Sequence, residues 1–373
     1  MDFDFTEDQV ALRDAVQRWV EKGFSFERRH ALAKAGGATR AVYRELAELG
    51  LTGLAVPAEH GGMGFGAVEA MVVMEELGRG LVNAPYAGAA LVTPALLAQG
   101  DAGAQAEWLP RIADGTALVV PALQERGARY RLDAVTATAV PHGDAWLISG
   151  HKSLVPAGDE ADAFIVPARV GPNAVAPIGL FLVERARCAV RGYPTQDGAR
   201  AAEVTLAASP AQRVLADGAA ALEHAVDVGI AAACAEGVGL MDQLLAITVE
   251  YMNTRKQFGV TIASFQALRH RIADVKMQLE LARSMSDYAT LKLGEPAAQR
   301  RRALSQAKVQ LGASMRFVGQ QCIQLHGGIG VTDEYAASHY FKRLTMLELA
   351  WGDTLHHLGE VSERMQDTAG VFA

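Results

Sequence analysis

The 373-residue chain reads as mainly α-helical, with a β domain set between two helical parts. Three observations carry that reading. Apolar residues recur at helical spacing from Thr6 to about Leu97. Strand and turn signals replace that pattern from Val119 to about Ala208. From about Asp217 the helical period returns in long Ala- and Leu-rich segments, as expected of a four-helix bundle. The expected domains are 1–118, 119–215 and 216–373.

Thr6 is positioned to cap the first helix, with Gln9 closing a capping box ahead of Val10, Leu12, Val16 and Val20. Leu49-Gly50-Leu51 ends a later helix. Val56 to Gly64 is a turn-rich connection, and the next helix carries Val72, Val73 and Leu77 up to Gly78. In the central part, Val135–Val140 and Ala145–Ile148 are expected strands joined by the turn Pro141-His142-Gly143-Asp144. Ala163–Val166, Gly179–Val183 and Val204–Leu206 are further strand candidates. Four long helical segments follow, roughly Ala220–Asn253, Ser264–Leu293, Pro296–His326 and Ala337–Thr368. Arg300-Arg301-Arg302 is expected to be a solvated helix face.

A charged fraction of 21% and a hydrophobic fraction of 50% mark a globular chain. The net charge of -7 argues against nucleic acid as the main partner. Cys188, Cys234 and Cys322 are scattered and odd in number, so no disulfide framework or metal spacing is present and a reducing cytoplasm is the expected setting. The acidic start, with Asp2, Asp4, Glu7 and Asp8, lacks the pattern of a secretory signal. No stretch reads as long and apolar enough to cross a membrane.

Two stretches stand out. Gln324-Leu325-His326-Gly327-Gly328-Ile329-Gly330 closes a long helix with three glycines in four residues, which lets the backbone approach a ligand closely. A plain helix stop is the simpler alternative. Arg255-Lys256-Gln257-Phe258-Gly259, followed by Phe265-Gln266, closes another. Arg255 there either complements the helix dipole or pairs with an external anion.

Together these stretches resemble the signature of the acyl-CoA dehydrogenase family, as do Leu49–Gly64 and Gly150-His151-Lys152. The resemblance covers nearly the whole chain. It implies a helical N-terminal domain, a small barrel-like β domain and a C-terminal four-helix bundle. It implies FAD between β domain and bundle, with Arg255, Phe258, Gln266, Gln324, Gly327 and Gly328 contributing to cofactor binding, some of them toward a neighbouring subunit's FAD. It further implies α,β-dehydrogenation of an acyl-CoA thioester, an electron-transferring flavoprotein as acceptor, and an oligomer, commonly a tetramer.

The sequence departs from the family at the chemistry. The usual Tyr-Glu-Gly-Thr segment reads Trp351-Gly352-Asp353-Thr354, and the alternative position for the base is Gly229. Asp353 is the adjacent carboxylate and the candidate base; its alternative role is a pair with His357 one turn on. Thr354 is carried over as a cofactor contact. In the β domain, Gln124 stands where the family has a flavin-binding Thr and could donate from its amide. Leu154 and Pro156 replace a Trp-x-Thr pair, which removes aromatic stacking and a hydrogen-bonding residue. These departures, with His356-His357 and Met1-Asp2-Phe3-Asp4, resemble the small subunit of the bacterial pimeloyl-CoA dehydrogenase group. A non-catalytic partner subunit completing a second chain's FAD site is the alternative, in which Gly352→Glu is expected to create activity. A cofactor-free helical scaffold is the remaining one.

Overall fold

The computed structural model describes residues 4–143, 145–171 and 175–365. Met1-Asp2-Phe3, Asp144 and the end of the expected fourth bundle segment lie outside the described residues. The chain forms two compact units, one of residues 1–30, 67–82 and 230–373, the other of 31–66 and 83–229.

The first unit holds helices at both ends of the sequence. Helix α1 (Glu7–Gly23) opens with the expected box: the Thr6 hydroxyl accepts from the Gln9 amide and the Gln9 side chain returns to the Thr6 N–H. Helix α2 (Phe26–Lys34) follows and runs across the unit boundary, as does α7 below. In the second unit, α3 (Arg40–Glu48) ends at Gly50, whose φ of 77° supports the expected stop. Helix α4 (Ala67–Arg79) belongs to the first unit, while α5 (Thr93–Leu97) and α6 (Ala102–Ala113) belong to the second.

The strands of the second unit are β1 (Val119–Pro121), β2 (Thr138–His142), β3 (Ala145–Pro156), β4 (Ala163–Val170), β5 (Ile178–Glu184), β6 (Ala189–Pro194) and β7 (Arg200–Leu215). Pairing runs β4-β2-β3-β7-β5, and β5 pairs back onto β4, so these five close into a barrel. Closure removes the exposed edges an open sheet would present. Strand β1 adds to β4 and β6 to β7. Its interior is packed by Val120, Ile148, Phe164, Val166, Phe181, Val183 and Val204. Strands β1 and β6 are short or weakly alternating and were absent from the sequence expectation. The β2–β3 turn is tighter than expected, since Pro141 and His142 are still paired.

The bundle consists of α7 (Ala219–Thr254), α8 (Gln266–Lys292), α9 (Ala297–His326), α10 (Ala336–Leu349) and α11 (Thr354–Met365), with a two-stranded hairpin, β8 (Lys256–Gln257) and β9 (Val260–Thr261), between α7 and α8. Within the first unit α4 and α7 cross in backbone contact. A Cβ on Gly239 would lie 1.9 Å from the Glu75 carbonyl, so only glycine admits the crossing.

Three expectations are corrected. The fourth bundle segment is two helices, α10 and α11, separated by a sharp corner at Ala350–Asp353. The arginine run is not a solvated face: Arg300 and Arg301 are buried, and Arg301 lies 3.8 Å from Glu360 of α11. Helix α7 is long and apolar enough to cross a membrane by length and composition, but 78% of its most apolar window is buried inside the protein, as in a core helix.

Candidate functional site

The two glycine-rich motifs meet at one end of the bundle. Met252 near the end of α7, Ile262 after the hairpin and Leu325 in the last turn of α9 form a buried cluster, backed by Tyr251, Phe265, Leu268 and Ile272. Burial of these side chains brings α7, the hairpin, α8 and α9 together. Around that cluster Arg255, Phe258, Gln266, Gln324, Gly327 and Gly328 are all exposed. Phe258 and Gly259 are the two turn residues of the β8–β9 hairpin, with φ of 53° and 82°. Positive φ at both positions is the geometry of a tight two-residue hairpin and is costly for phenylalanine. Phe258 is 92% exposed. An aromatic held in left-handed backbone and turned to solvent points to a use outside this chain.

Among the described residues the Arg255 guanidinium has no hydrogen-bond or ion-pair partner. Its backbone is fixed, the N–H donating to the Tyr251 carbonyl and the carbonyl accepting from Ile262. A Cβ built on Gly327 or Gly328 meets nothing within 4 Å, and Gly327 has φ of 64°. Both glycines therefore leave open space beside the backbone, where the motif implied a cradle. His326 is not part of it: its Nδ1 lies 2.8 Å from the Cys322 carbonyl and its ring packs on Tyr251 and Tyr335, so burial holds its pKa down.

Asp353 and Thr354 lie elsewhere on the bundle, at the α10–α11 corner. Trp351 has φ of 59° and Gly352 of 109°. The corner is held by two buried side chains. Lys308 of α9 donates from Nζ to the carbonyls of Leu347 (3.0 Å), Glu348 (2.9 Å) and Gly352 (2.9 Å). Glu348 accepts at Oε1 from the Thr354 N–H (3.1 Å) and hydroxyl (2.7 Å). The Thr354 hydroxyl proton is thereby committed to Glu348, leaving only its acceptor side for a cofactor. Asp353 caps α11, its Oδ1 accepting from the His356 N–H at 2.8 Å. The expected Asp353–His357 pair is replaced by this cap. Both His357 ring nitrogens are engaged, Nδ1 with the Ser305 hydroxyl and Nε2 with the Trp351 carbonyl, and burial lowers its pKa to about 3, so the ring is neutral. Lys308 and His326 are about 27 Å apart along α9 at 1.5 Å per residue. The expected site residues of this unit thus form two separate groups.

In the second unit Gln124 is half-buried, its carbonyl accepting from the Ser153 N–H. Leu154 sits where the β3–β7 register shifts, with φ of 52°, and is exposed. Such a bulge re-aims a side chain. Lys152, fully buried, pairs with Glu125 at 2.6 Å. Glu125 also accepts from the Thr136 and Ala137 amides, and these contacts outweigh burial and hold its carboxyl below the usual range. Nearby, Glu203 accepts from His151, Ser153 and Tyr193; burial alone would raise its pKa, but these bonds hold it at about 2.

Two family models match, the acyl-CoA dehydrogenase N-terminal domain over residues 6–116 and the acyl-CoA dehydrogenase C-terminal domain over 216–366. Acyl-CoA dehydrogenase IpdE2 of Mycobacterium tuberculosis is 31% identical over 340 residues, covering 90% of this chain and 91% of its own. The chain belongs to the acyl-CoA dehydrogenase family. The probable acyl-CoA dehydrogenase YngJ of Bacillus subtilis is 28% identical, with 94% and 96% covered. Among solved structures, the ChsE4-ChsE5 complex of Mycobacterium tuberculosis superposes with a TM-score of 0.88 at 26% identity, covering 99% of this chain and 100% of that one.

As a member of this family the chain is an FAD-dependent oxidoreductase that acts on acyl-CoA. The residues present fit the cofactor: a guanidinium without an internal partner, exposed glutamines and a glycine cradle suit a pyrophosphate. Lys308 and Glu348 escaped sequence reasoning. Lys308 falls in the apolar register Leu304, Leu311, Met315, Val318, and a lysine in that register was the available signal.

Proposed function

We propose that Asp353 is the base that removes the α-proton of a bound acyl-CoA, and that the chain works as the smaller chain of a heteromer acting on a dicarboxylyl-CoA. The corner carries the first part. A carboxylate one residue beyond the family's glutamate points about 100° away if the helix is continuous. Here the chain turns at Trp351 and Gly352, so Asp353 is not bound by helical geometry. It has the oxygen chemistry for the step and needs to come within about 3 Å of the proton. Bound FAD supplies the acceptor for the β-hydride. Arg255, Phe258, Gln266, Gln324, Gly327 and Gly328 hold cofactor for a neighbouring subunit, and Gln124 donates from the β domain (119–215) that separates the helical part (1–118) from the bundle (216–373). An electron-transferring flavoprotein takes the electrons onward.

The departures at Leu154 and Pro156 support the small-subunit assignment, as does similarity to a structure described as a complex of two named chains. A second reading has one observation behind it. A Cβ on Gly352 would lie 2.4 Å from His357 Nε2, so a glutamate at that position must displace the buried His357 ring of this chain. In that reading the chain only completes a partner's FAD site. Gly352→Glu is then no route to activity, contrary to the expectation from sequence.

The test is purification of the chain alone and with a co-expressed glutamate-bearing family member, followed by flavin spectra and anaerobic addition of pimeloyl-CoA or butyryl-CoA. The expected result is flavin in the chain itself, bleaching by pimeloyl-CoA, and little turnover of butyryl-CoA by the chain alone. Rapid butyryl-CoA turnover by the chain alone overturns the heteromer assignment. A flavin-free chain that still activates its partner favours the second reading.

A further inference from the structure

Lys308 is a buried cation whose three N–H groups all end on backbone carbonyls. Leu347 and Glu348 belong to the last turn of α10, where the dipole is negative; the Leu347 carbonyl also accepts from the Ala350 N–H at 3.2 Å. Gly352 is in the corner itself, one residue before Asp353. One ammonium therefore ties the end of α10 to the residue that introduces the base. An ammonium has three donors and no acceptor, which matches three carbonyls; a neutral amine has two donors and would turn a lone pair on one of them.

We propose that Lys308 is a positioning residue for Asp353: its ammonium holds the Trp351-Gly352 corner and so fixes where the carboxylate stands. The proposal rests on Asp353 being the base. Glu348 acts on the far side of the same corner, capping α11 through Thr354, so each half of the turn has its own anchor. Burial lowers the Lys308 pKa to about 8, so the ammonium form is lost within an accessible range. The titratable groups acting on it are Cys234 of α7, Glu348 of α10 and Asp353 of the corner, with His357 of α11 on the other side of the same interaction. Cys234 is pushed up to about 12 and His357 down to about 3 by burial, so neither changes charge near pH 8.

The test uses the full chain with Lys308→Met, Lys308→Gln and Asp353→Asn. Backbone amide exchange at 350–356 is measured in the flavin-free protein, and kcat, KM and the pH profile in the loaded enzyme. Lys308→Met is expected to speed exchange at the corner and leave the α8–α9 contact unchanged. Misplacing the base by about 1 Å lowers kcat by about 10²-fold, with KM nearly unchanged. Lys308→Gln, with two donors, falls between. Wild-type activity is expected to decline as pH rises through about 8, with protection of the corner, corrected for the intrinsic exchange rate, falling in parallel, and Lys308→Met to lack both changes. Unchanged corner exchange and kcat in Lys308→Met overturn the proposal. If both variants fail to fold, the wild-type profile decides: activity, and corner protection corrected for the intrinsic exchange rate at each pH, both flat to pH 9.5 overturn it. Full turnover by Asp353→Asn overturns the base assignment instead, while exchange at the corner still reports whether Lys308 holds it.

Discussion

Gly352→Ala puts the corner geometry to a quantitative test. At φ of 109° an L-residue pays for left-handed backbone, about 1–2 kcal/mol. The new methyl also lies 2.4 Å from His357 Nε2 and 2.7 Å from His356 Cδ2, closer than carbon contacts allow. The His357 ring is buried and bonded at both nitrogens, with Nε2–H donating to Trp351 and Nδ1 accepting from Ser305. Moving it breaks at least one buried hydrogen bond, about 1 kcal/mol or somewhat more. The sum is a destabilisation of about 2–4 kcal/mol, read by urea unfolding as a shift in midpoint at constant slope. A double-mutant cycle with His357→Ala isolates the His357 contribution, because without that ring the backbone penalty and the His356 contact remain. The expected coupling is about 1 kcal/mol, with the double variant less destabilised than the two singles combined. A Gly352→Ala protein within about 0.5 kcal/mol of wild type would refute the corner as described.

Other outcomes follow from the same structure. Arg255→Ala is expected to weaken FAD retention by about 1.5–3 kcal/mol, the worth of one charge-assisted hydrogen bond, measured by flavin release on dilution; unchanged retention removes Arg255 from the cofactor site. Glu203, with a folded pKa of about 2 against an ordinary 4.5, stabilises the barrel fully above about pH 4.5 and loses that contribution as pH falls toward 2. Glu203→Gln should flatten acid unfolding over that range, a term of about 3 kcal/mol at most. Light scattering of the flavin-loaded chain should show at least a dimer, homomeric or with a partner; a stable monomer holding FAD contradicts the role given to Arg255.

The helices and the barrel were legible because their residues repeat with a period. The Thr6–Gln9 box and the stop at Gly50 were readable for the same local reason, since capping depends on residues three or four apart. The α10–α11 break was not legible. Nothing between Ala337 and Met365 carries a proline, and the turn depends on Lys308 and Glu348, one of which comes from another helix. Similarly, Arg301 looked solvated because its partner Glu360, on α11, is far away in sequence. The two motifs were read correctly as helix-ending turns, but their meeting depends on Met252, Ile262 and Leu325, which look like any other apolar residues. That a side chain at Gly352 must displace the His357 ring is a contact between residues the sequence placed only as neighbours.

The central claim is that Asp353 removes the α-proton. The most direct test is stopped-flow reduction of the flavin by pimeloyl-CoA under anaerobic conditions, comparing wild type with Asp353→Asn in the same assembly. Asparagine keeps the size and can still accept from the His356 N–H, so the fold and the flavin band should be retained while reduction falls by about 10²-fold or more. Reduction by Asp353→Asn at the wild-type rate, with flavin fully bound, would contradict the account and place the base elsewhere.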